Sequence, residues 1–433
     1  ASNNTAVGRQ ALGANTTGFD NVALGYVTLD ANTTGNNNTS LGNYSLGSNT
    51  TGGNNTAVGY GALTSNTTAS NNTGVGIQAL QSNTTGTNNV SVGQQSTYTN
   101  TTGGNNTAIG TGALYANTTA GNNTAVGYSA LLANTTGEYN VAVGRQALDA
   151  NTTANENTAI GNTALSGNTT GANNTAVGSG SLKVNTTGHS NVAVGETALD
   201  SNTTAIYNTA VGRQTLQAVT TANANSGLGY RAGGGITTGE NNIMIGTDAG
   251  YYTTILTTGD ANIIMGNYTI PSSSAASNQI ILGYNVTGSG NASLTFGSGG
   301  SDTTCGMGST TWSAPSDQRM KEDIVSSTAG LNFLNDLRPV TFKWRKEKDI
   351  PSTLNSYVEG SDKRYMTETT RHGFIAQEVK TVIDAHPEIK DGFDMWKEDE
   401  SDGRQRVAES ALIPVLVKAI QELSVKVTAL EAG

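Results

Sequence analysis

The sequence predicts a mainly β protein: a shaft of 17-residue repeats, read as a β-roll or β-helix, followed by a small α+β module ending in a coiled-coil helix. Three observations carry this reading. Glycine recurs at 17-residue intervals from Gly8 through Gly246 without slipping. Composition is far from that of an ordinary globular domain: 35% hydrophobic, 12% charged and 6% aromatic residues, with 55 glycines and 6 prolines, against about 45–50% apolar and about 25% charged residues in a typical domain. The charges are also unevenly placed. Of 22 basic and 32 acidic side chains, only 15 lie within residues 1–300. Disorder does not fit either, because disordered chains are enriched in charge and proline.

Each repeat reads roughly NNTAVGxxALxxNTTGx. Thr5-Ala6-Val7 is a short β-favouring run, and Gly8 follows where the chain must turn. Ala11-Leu12 is a second apolar segment. It precedes Asn15-Thr16-Thr17-Gly18, a turn whose Asn and Gly tolerate positive φ and whose hydroxyls can bond local backbone. Stacked copies place Asn4, Asn21, Asn38 and Asn55 above one another as an amide ladder, with the Val and Leu positions as the apolar column. One unit buries two or three aliphatic side chains, worth roughly 1.5–3 kcal/mol each, against about 1–2 kcal/mol of backbone entropy per ordered residue. A lone unit therefore cannot fold, and repetition of this kind signals a stacked solenoid. The thin core further suggests that several chains wrap one axis and share the Val and Leu columns. Fifteen layers at about 4.7–4.9 Å give a rod of roughly 70 Å. The 17-residue phase breaks near Tyr251, so the expected organisation is a repeat shaft over 1–250, a connecting β region over 251–315 and a C-terminal module over 316–433.

Several functions are disfavoured by composition. A net charge of −10 without a basic run argues against nucleic-acid binding, which draws its affinity from clustered Lys and Arg. No stretch of about 18 apolar residues and no apolar leader is visible, so neither a membrane-spanning helix nor a signal peptide is expected. The single cysteine, Cys305, cannot close an intrachain disulfide. His189 and His386 have no partners at ligand spacing, so no metal site and no cofactor are expected. Gly233-Gly234-Gly235 lacks the Lys-Ser/Thr ending of a phosphate loop. The Asn-Thr-Thr triplets match a glycosylation acceptor, but their recurrence every 17 residues points to a turn. Tyr60, Tyr128 and Tyr230 follow repeat glycines and read as packing before they read as a glycan platform. The acids Asp20, Asp30, Glu138 and Asp149 are scattered singly, so no glycan-cleaving carboxylate cluster is apparent.

The NTAVG-type repeats of residues 1 to about 250 resemble the head repeats of trimeric autotransporter adhesins and repeats in phage tail fibres. The C-terminal part carries a more specific resemblance. SDQRMKEDI from Ser316, then LRPVTFKW, HGFIAQEV and the terminal ALIPVLVKAIQELSVKVTALE resemble the intramolecular chaperone auto-processing domain of phage tailspikes and endosialidases. The resemblance implies a module that drives trimerisation of a β fibre and then cuts itself off with a serine-lysine pair. It carries over onto Ser316 and Lys321, with the cut before Ser316.

The residues themselves are compatible with that chemistry. A serine hydroxyl becomes a nucleophile when a base lies within hydrogen-bond reach, and a lysine is such a base only when desolvation or a nearby cation lowers its pKa. Arg319 is the candidate cation. Ser316 Oγ would attack the carbonyl of Pro315, giving an ester that water hydrolyses, so the scissile bond is Pro315–Ser316. The competing reading is an ordinary N-cap, Ser-Asp before a charged helix start. His372, Gln377 and Glu378 are candidates for orienting the site, each also explicable as structural. In the terminal helix Ile413, Leu416, Ile420, Leu423, Val427 and Leu430 step by three and four as a heptad seam, with Pro414 near its start. β-branched residues alternating with Leu favour two strands; the family resemblance implies three.

Two functional readings follow. One is a homotrimeric virion tail fibre or spike that reaches a host-surface receptor or glycan and carries a self-cleaving chaperone. The other is a bacterial cell-surface trimeric adhesin with a retained, uncleaved folding module. Self-cleavage belongs to the first alone.

Overall fold

The computed structural model describes residues 2–309, 312–314, 316–390, 392–399 and 401–432. The chain divides into two compact units, Ala1–Pro315 and Ser316–Gly433.

The first unit is a β-solenoid with a 17-residue repeat. Strands β1 (Thr5–Val7) through β18 (Ser293–Ser298) pair in parallel, each with the next. The register offset is 17 residues from Thr5↔Val22 onward. It becomes 20 at Ile243↔Ile263, returns to 17 at Ile263↔Ile280, and falls to 14 at Gln279↔Ser293. The segment after Gly250 thus continues the same sheet. It closes with β19 (Ser301–Gly306), antiparallel to β18. At about 4.7–4.9 Å per rung, β1 to β18 span about 80 Å.

Alternation within the three-residue strands decides what is inside. The central residue, Ala23, Ala57 or Ala108, is fully buried, while the flanking residues point outward. The sequence reading places the Val and Leu positions in one apolar column, and the structure separates them. Leu29, Leu46, Leu63 and their successors are fully buried within one chain, whereas Val7, Leu24 and Ile109 remain 42–56% exposed on the outer strand face. The buried leucines adopt φ of 48–53° in the first coils, a left-handed conformation that costs roughly 1–2 kcal/mol. Burial of the side chain, about 1.5–3 kcal/mol, offsets that cost. The glycine after each strand has a steric cause: Gly42 has φ of 132°, and a Cβ there would lie 2.6 Å from the Gly59 carbonyl oxygen.

Two asparagine ladders, not one, run through the interior. In the first, Asn38 N donates to Asn21 Oδ1 at 3.0 Å and Asn38 Nδ2 to Gly52 O at 2.9 Å. In the second, built by the Asn-Thr-Thr turns, Asn49 Nδ2 donates to Asn32 Oδ1 at 3.0 Å and also to Gly52 O at 2.9 Å. These turn asparagines are buried, which explains their recurrence without glycosylation. The second ladder stops at Asn202, whose buried Oδ1 has no hydrogen-bond partner because Val219 occupies the next position.

The second unit is α+β. Helices α1 (Leu331–Asp336), α2 (Ala376–Ala385) and α3 (Ile413–Glu431) accompany two antiparallel pairs, β20 (Val340–Phe342) with β21 (Arg371–Gly373) and β22 (Trp396–Glu398) with β23 (Gln405–Val407). Phe333, Val379, Ile383, Met395 and Val415 form its core. Glu422 of α3 accepts a hydrogen bond from Leu331 N at 3.0 Å, tying α3 to the start of α1. His386 bridges Glu388 through Nδ1 and Asp336 through Nε2, both at 2.9 Å. Asp399 is held by Arg404 and Arg406 at 3.0 and 2.7 Å. Hydrogen bonding from Arg406, with help from Arg404, pushes the Asp399 carboxyl down to about 2. Pro414 sits in the first turn of α3, where its missing N–H is harmless. No helix among the described residues is long and apolar enough to cross a membrane.

Candidate active site

Residues 316–321 form one tight turn. Asp317 caps a short 3-10 turn over Gln318–Met320: its Oδ1 accepts from Arg319 N at 2.9 Å, and Lys321 N donates back to Gln318 O at 3.1 Å. Because the cap is Asp317, the Ser316 hydroxyl is not used in capping. The 3-10 turn, with three residues per turn, brings the ends of the segment together. Lys321 Nζ donates to Ser316 Oγ at 2.7 Å. Both side chains are exposed. Pro315, whose carbonyl belongs to the expected scissile bond, lies outside the described residues.

Arg319 faces Asp317, not Lys321. Its Nη2 contacts Asp317 Oδ2 at 2.5 Å and its Nε contacts Oδ1 at 3.0 Å. This hydrogen bonding holds the Asp317 carboxyl below its ordinary range and raises the guanidinium in turn. The pair was not anticipated from sequence, although only Gln318 separates its members.

The other candidates sit elsewhere in the unit. His372 lies on β21, opposite Thr341 of β20, and lines an open cleft of about 480 Å³ with Val340 and Glu409. Gln377 is exposed in the first turn of α2, its carbonyl accepting from Thr381 Oγ1 at 3.0 Å. Glu378 forms a two-point ion pair with Arg338, which lowers the carboxyl and raises the guanidinium. Arg338 belongs to the LRPV stretch, 40 residues from Glu378, so spacing carried no signal for this pair. Among the described residues no hydrogen bond or ion pair joins His372, Gln377 or Glu378 to Ser316 or Lys321, and no group of three His, Cys, Asp or Glu side chains is arranged to hold a metal ion.

Compared with known protein families, residues 316–386 match the Peptidase S74 family model, described as chaperone of endosialidase. The matched stretch begins at Ser316 and covers about one sixth of the chain. Such a match implies a self-cleaving chaperone peptidase. No curated protein and no solved structure matches the chain.

Proposed function

We propose that this chain is a homotrimeric phage tail-fibre or spike protein whose C-terminal module, Ser316–Gly433, assembles the β shaft and then cuts itself off before Ser316. The observation that carries the reading is the 2.7 Å hydrogen bond between Lys321 Nζ and Ser316 Oγ at the first residue of the matched stretch. The chemistry balances without a cofactor. Lys321, as a neutral amine, takes the Ser316 proton while Oγ adds to the Pro315 carbonyl carbon. Collapse of the tetrahedral adduct breaks the Pro315–Ser316 C–N bond, and the freed Ser316 amine takes a proton. The resulting Pro315–Oγ ester is hydrolysed by water, leaving a carboxyl at Pro315 and a new N-terminus at Ser316.

A lysine base requires a desolvated setting, and in the single chain this dyad is exposed. Assembly into the trimer would supply that burial, which orders the steps: association first, cleavage second. The seam of α3 supports the association. Ile413, Leu416, Ile420, Leu423, Val427 and Leu430 are 44–81% exposed, while Val415 and Ala419 turn inward to the module's own core. The mature shaft would then present its coils to a host-surface receptor or glycan as part of the virion.

The test is substitution of the dyad. Ser316→Ala and Lys321→Ala are each expected to leave the chain full-length on denaturing gels while it still assembles, with cleavage slowed by at least about 10²-fold, the lower range for a positioned acid–base group. Fragments appearing at the normal rate in either variant would remove the dyad from the mechanism.

A further inference from the structure

We infer that Arg319 is a positioning residue of the proposed self-cleavage: it holds the Asp317 carboxylate in a two-point ion pair and so keeps it from competing with Ser316 for Lys321. The inference rests on the Ser316–Lys321 reading and assigns the part played by the charged neighbours of that pair.

Asp317 and Lys321 stand four residues apart, the spacing at which opposite charges pair across a helical turn. The 3-10 turn between them therefore offers Lys321 two partners, the Asp317 carboxylate and the Ser316 hydroxyl. The structure shows it on the hydroxyl: Lys321 Nζ lies 2.7 Å from Ser316 Oγ, and among the described residues it forms no ion pair. The carboxylate is occupied instead by Arg319. Among the described residues the Asp317 side chain accepts from Arg319 alone, from the backbone N–H at 2.9 Å, from Nε at 3.0 and 3.1 Å and from Nη2 at 2.5 Å. The partners are two residues apart, so the pair forms within the turn itself and needs no other element.

The chemistry explains why the competition matters. An opposite charge beside an ammonium favours its protonated form, and an ammonium has no lone pair with which to take the Ser316 proton. A Lys321 paired with Asp317 would be lost to the reaction twice, through its position and through its proton. A guanidinium suits the guarding role because its fork matches a carboxylate and it stays charged at any pH at which a lysine acts as a base. The other charged groups on this segment are Glu322 and Asp323. Lys321 has extended backbone, with φ of −126° and ψ of 142°, which turns the Glu322 side chain to the opposite side of the chain. Among the described residues no side chain of α1, α2, α3 or the two strand pairs bonds to Lys321, so Asp317 is the carboxylate of the lysine's own turn and Arg319 the cation that engages it.

The test is the pH profile of cleavage. The full chain is made by cell-free synthesis and jumped into buffers from neutral to alkaline pH; fragments are followed on denaturing gels and assembly by native mass in the same samples. The wild-type rate is expected to rise with pH to a plateau. Arg319→Gln frees Asp317 to pair with Lys321, so the midpoint should move up by about one pH unit, the low end of what an adjacent opposite charge does. Cleavage on the rising limb then slows about tenfold, while the alkaline plateau stays close to that of the wild type. Adding Asp317→Asn should return the midpoint to the wild-type position, because Asn still caps the turn and carries no charge. A uniform slowing of Arg319→Gln at every pH, a double variant that keeps the raised midpoint, or an Arg319→Gln chain that does not assemble would each overturn the inference and leave the dyad standing. A wild type that makes no cut before Ser316 at any pH overturns the dyad and the inference together.

Discussion

Asn151 donates to Asn134 Oδ1 at 2.8 Å and to Ala154 O at 3.0 Å, and its own Oδ1 accepts from Asn168 Nδ2 at 3.1 Å. Asn151→Asp would set a carboxylate against two acceptors in a fully buried column. Each buried polar group left unsatisfied costs about 1–3 kcal/mol, more when charged, so this variant should unfold well below the wild type in a thermal melt followed by circular dichroism. Asn151→Ser should lose less, and an unchanged melt for Asn151→Asp would sink the ladder account. His386 gives a different kind of prediction. Its bonds to Glu388 and then Asp336 raise its pKa above the ordinary value near 6.5. The sign follows directly: this contribution is complete below the unfolded pKa and is lost as pH rises through the folded one. Hydrogen exchange in α1 and α2 should show wild-type protection, corrected for intrinsic rates, falling as pH rises through that window. His386→Gln should show no such fall. Part of the residue scale was legible beforehand. The first ladder at Asn21 and Asn38 follows from a repeated Asn, whereas the second, at Asn32 and Asn49, was hidden inside a turn motif that explains itself locally. The left-handed leucines were not legible at all, because propensity forbids what only the closed coil can enforce. At the candidate site, Ser316 and Lys321 were legible from the motif, but the capping role of Asp317 was not, since Ser and Asp compete equally for a cap in sequence.

At the scale of elements, the coil keeps its core volume by exchange between positions. Where the buried leucine column ends, at Gly233 and Gly250, the inward strand residue grows from Ala to Met244 and Ile264, and the ladder position becomes Val219, Ile236 and Leu256. Gly235 makes room in the same way: a Cβ there would lie 2.1 Å from Ile255 Cγ2 and 3.1 Å from the Tyr251 ring. The glycine triplet that resembles a truncated phosphate loop therefore accommodates the three-residue insertion after Gly250. Phase counting shows where the repeat changes, but only the three-dimensional register shows that the sheet continues through it. In the second unit α3 divides its surface between two tasks. Val415 and Ala419 serve the module's own core, and the heptad seam faces outward. Ile420→Asp with Leu423→Asp should leave the module folded, with normal exchange protection in α2, and abolish assembly by native mass. Trimers of that variant at the wild-type yield would show that α3 does not nucleate association.

The whole molecule pairs a shaft built on parallel strand pairing with a small α+β module that ends in a helix with an exposed heptad seam. Non-local β pairing is slow because loop closure must precede its reward, so in the proposed homotrimer an early-associating C-terminal module would set three shafts in register before their strands close. The proposed cleavage would then separate the folded shaft from the element that nucleated it, and unfolding would become a matter of barrier height. The charge distribution fits this proposed division of labour, since most charged side chains lie in the part that cleavage before Ser316 would remove and few lie in the shaft. The measurement that bears most directly on this account is the intact mass of the expressed wild-type chain, taken under denaturing and native conditions on the same sample. The account predicts two fragments under denaturing conditions, one of them beginning at Ser316, and a native species containing three copies of residues 1–315. A single full-length mass, or fragments that part at any other bond, would contradict it.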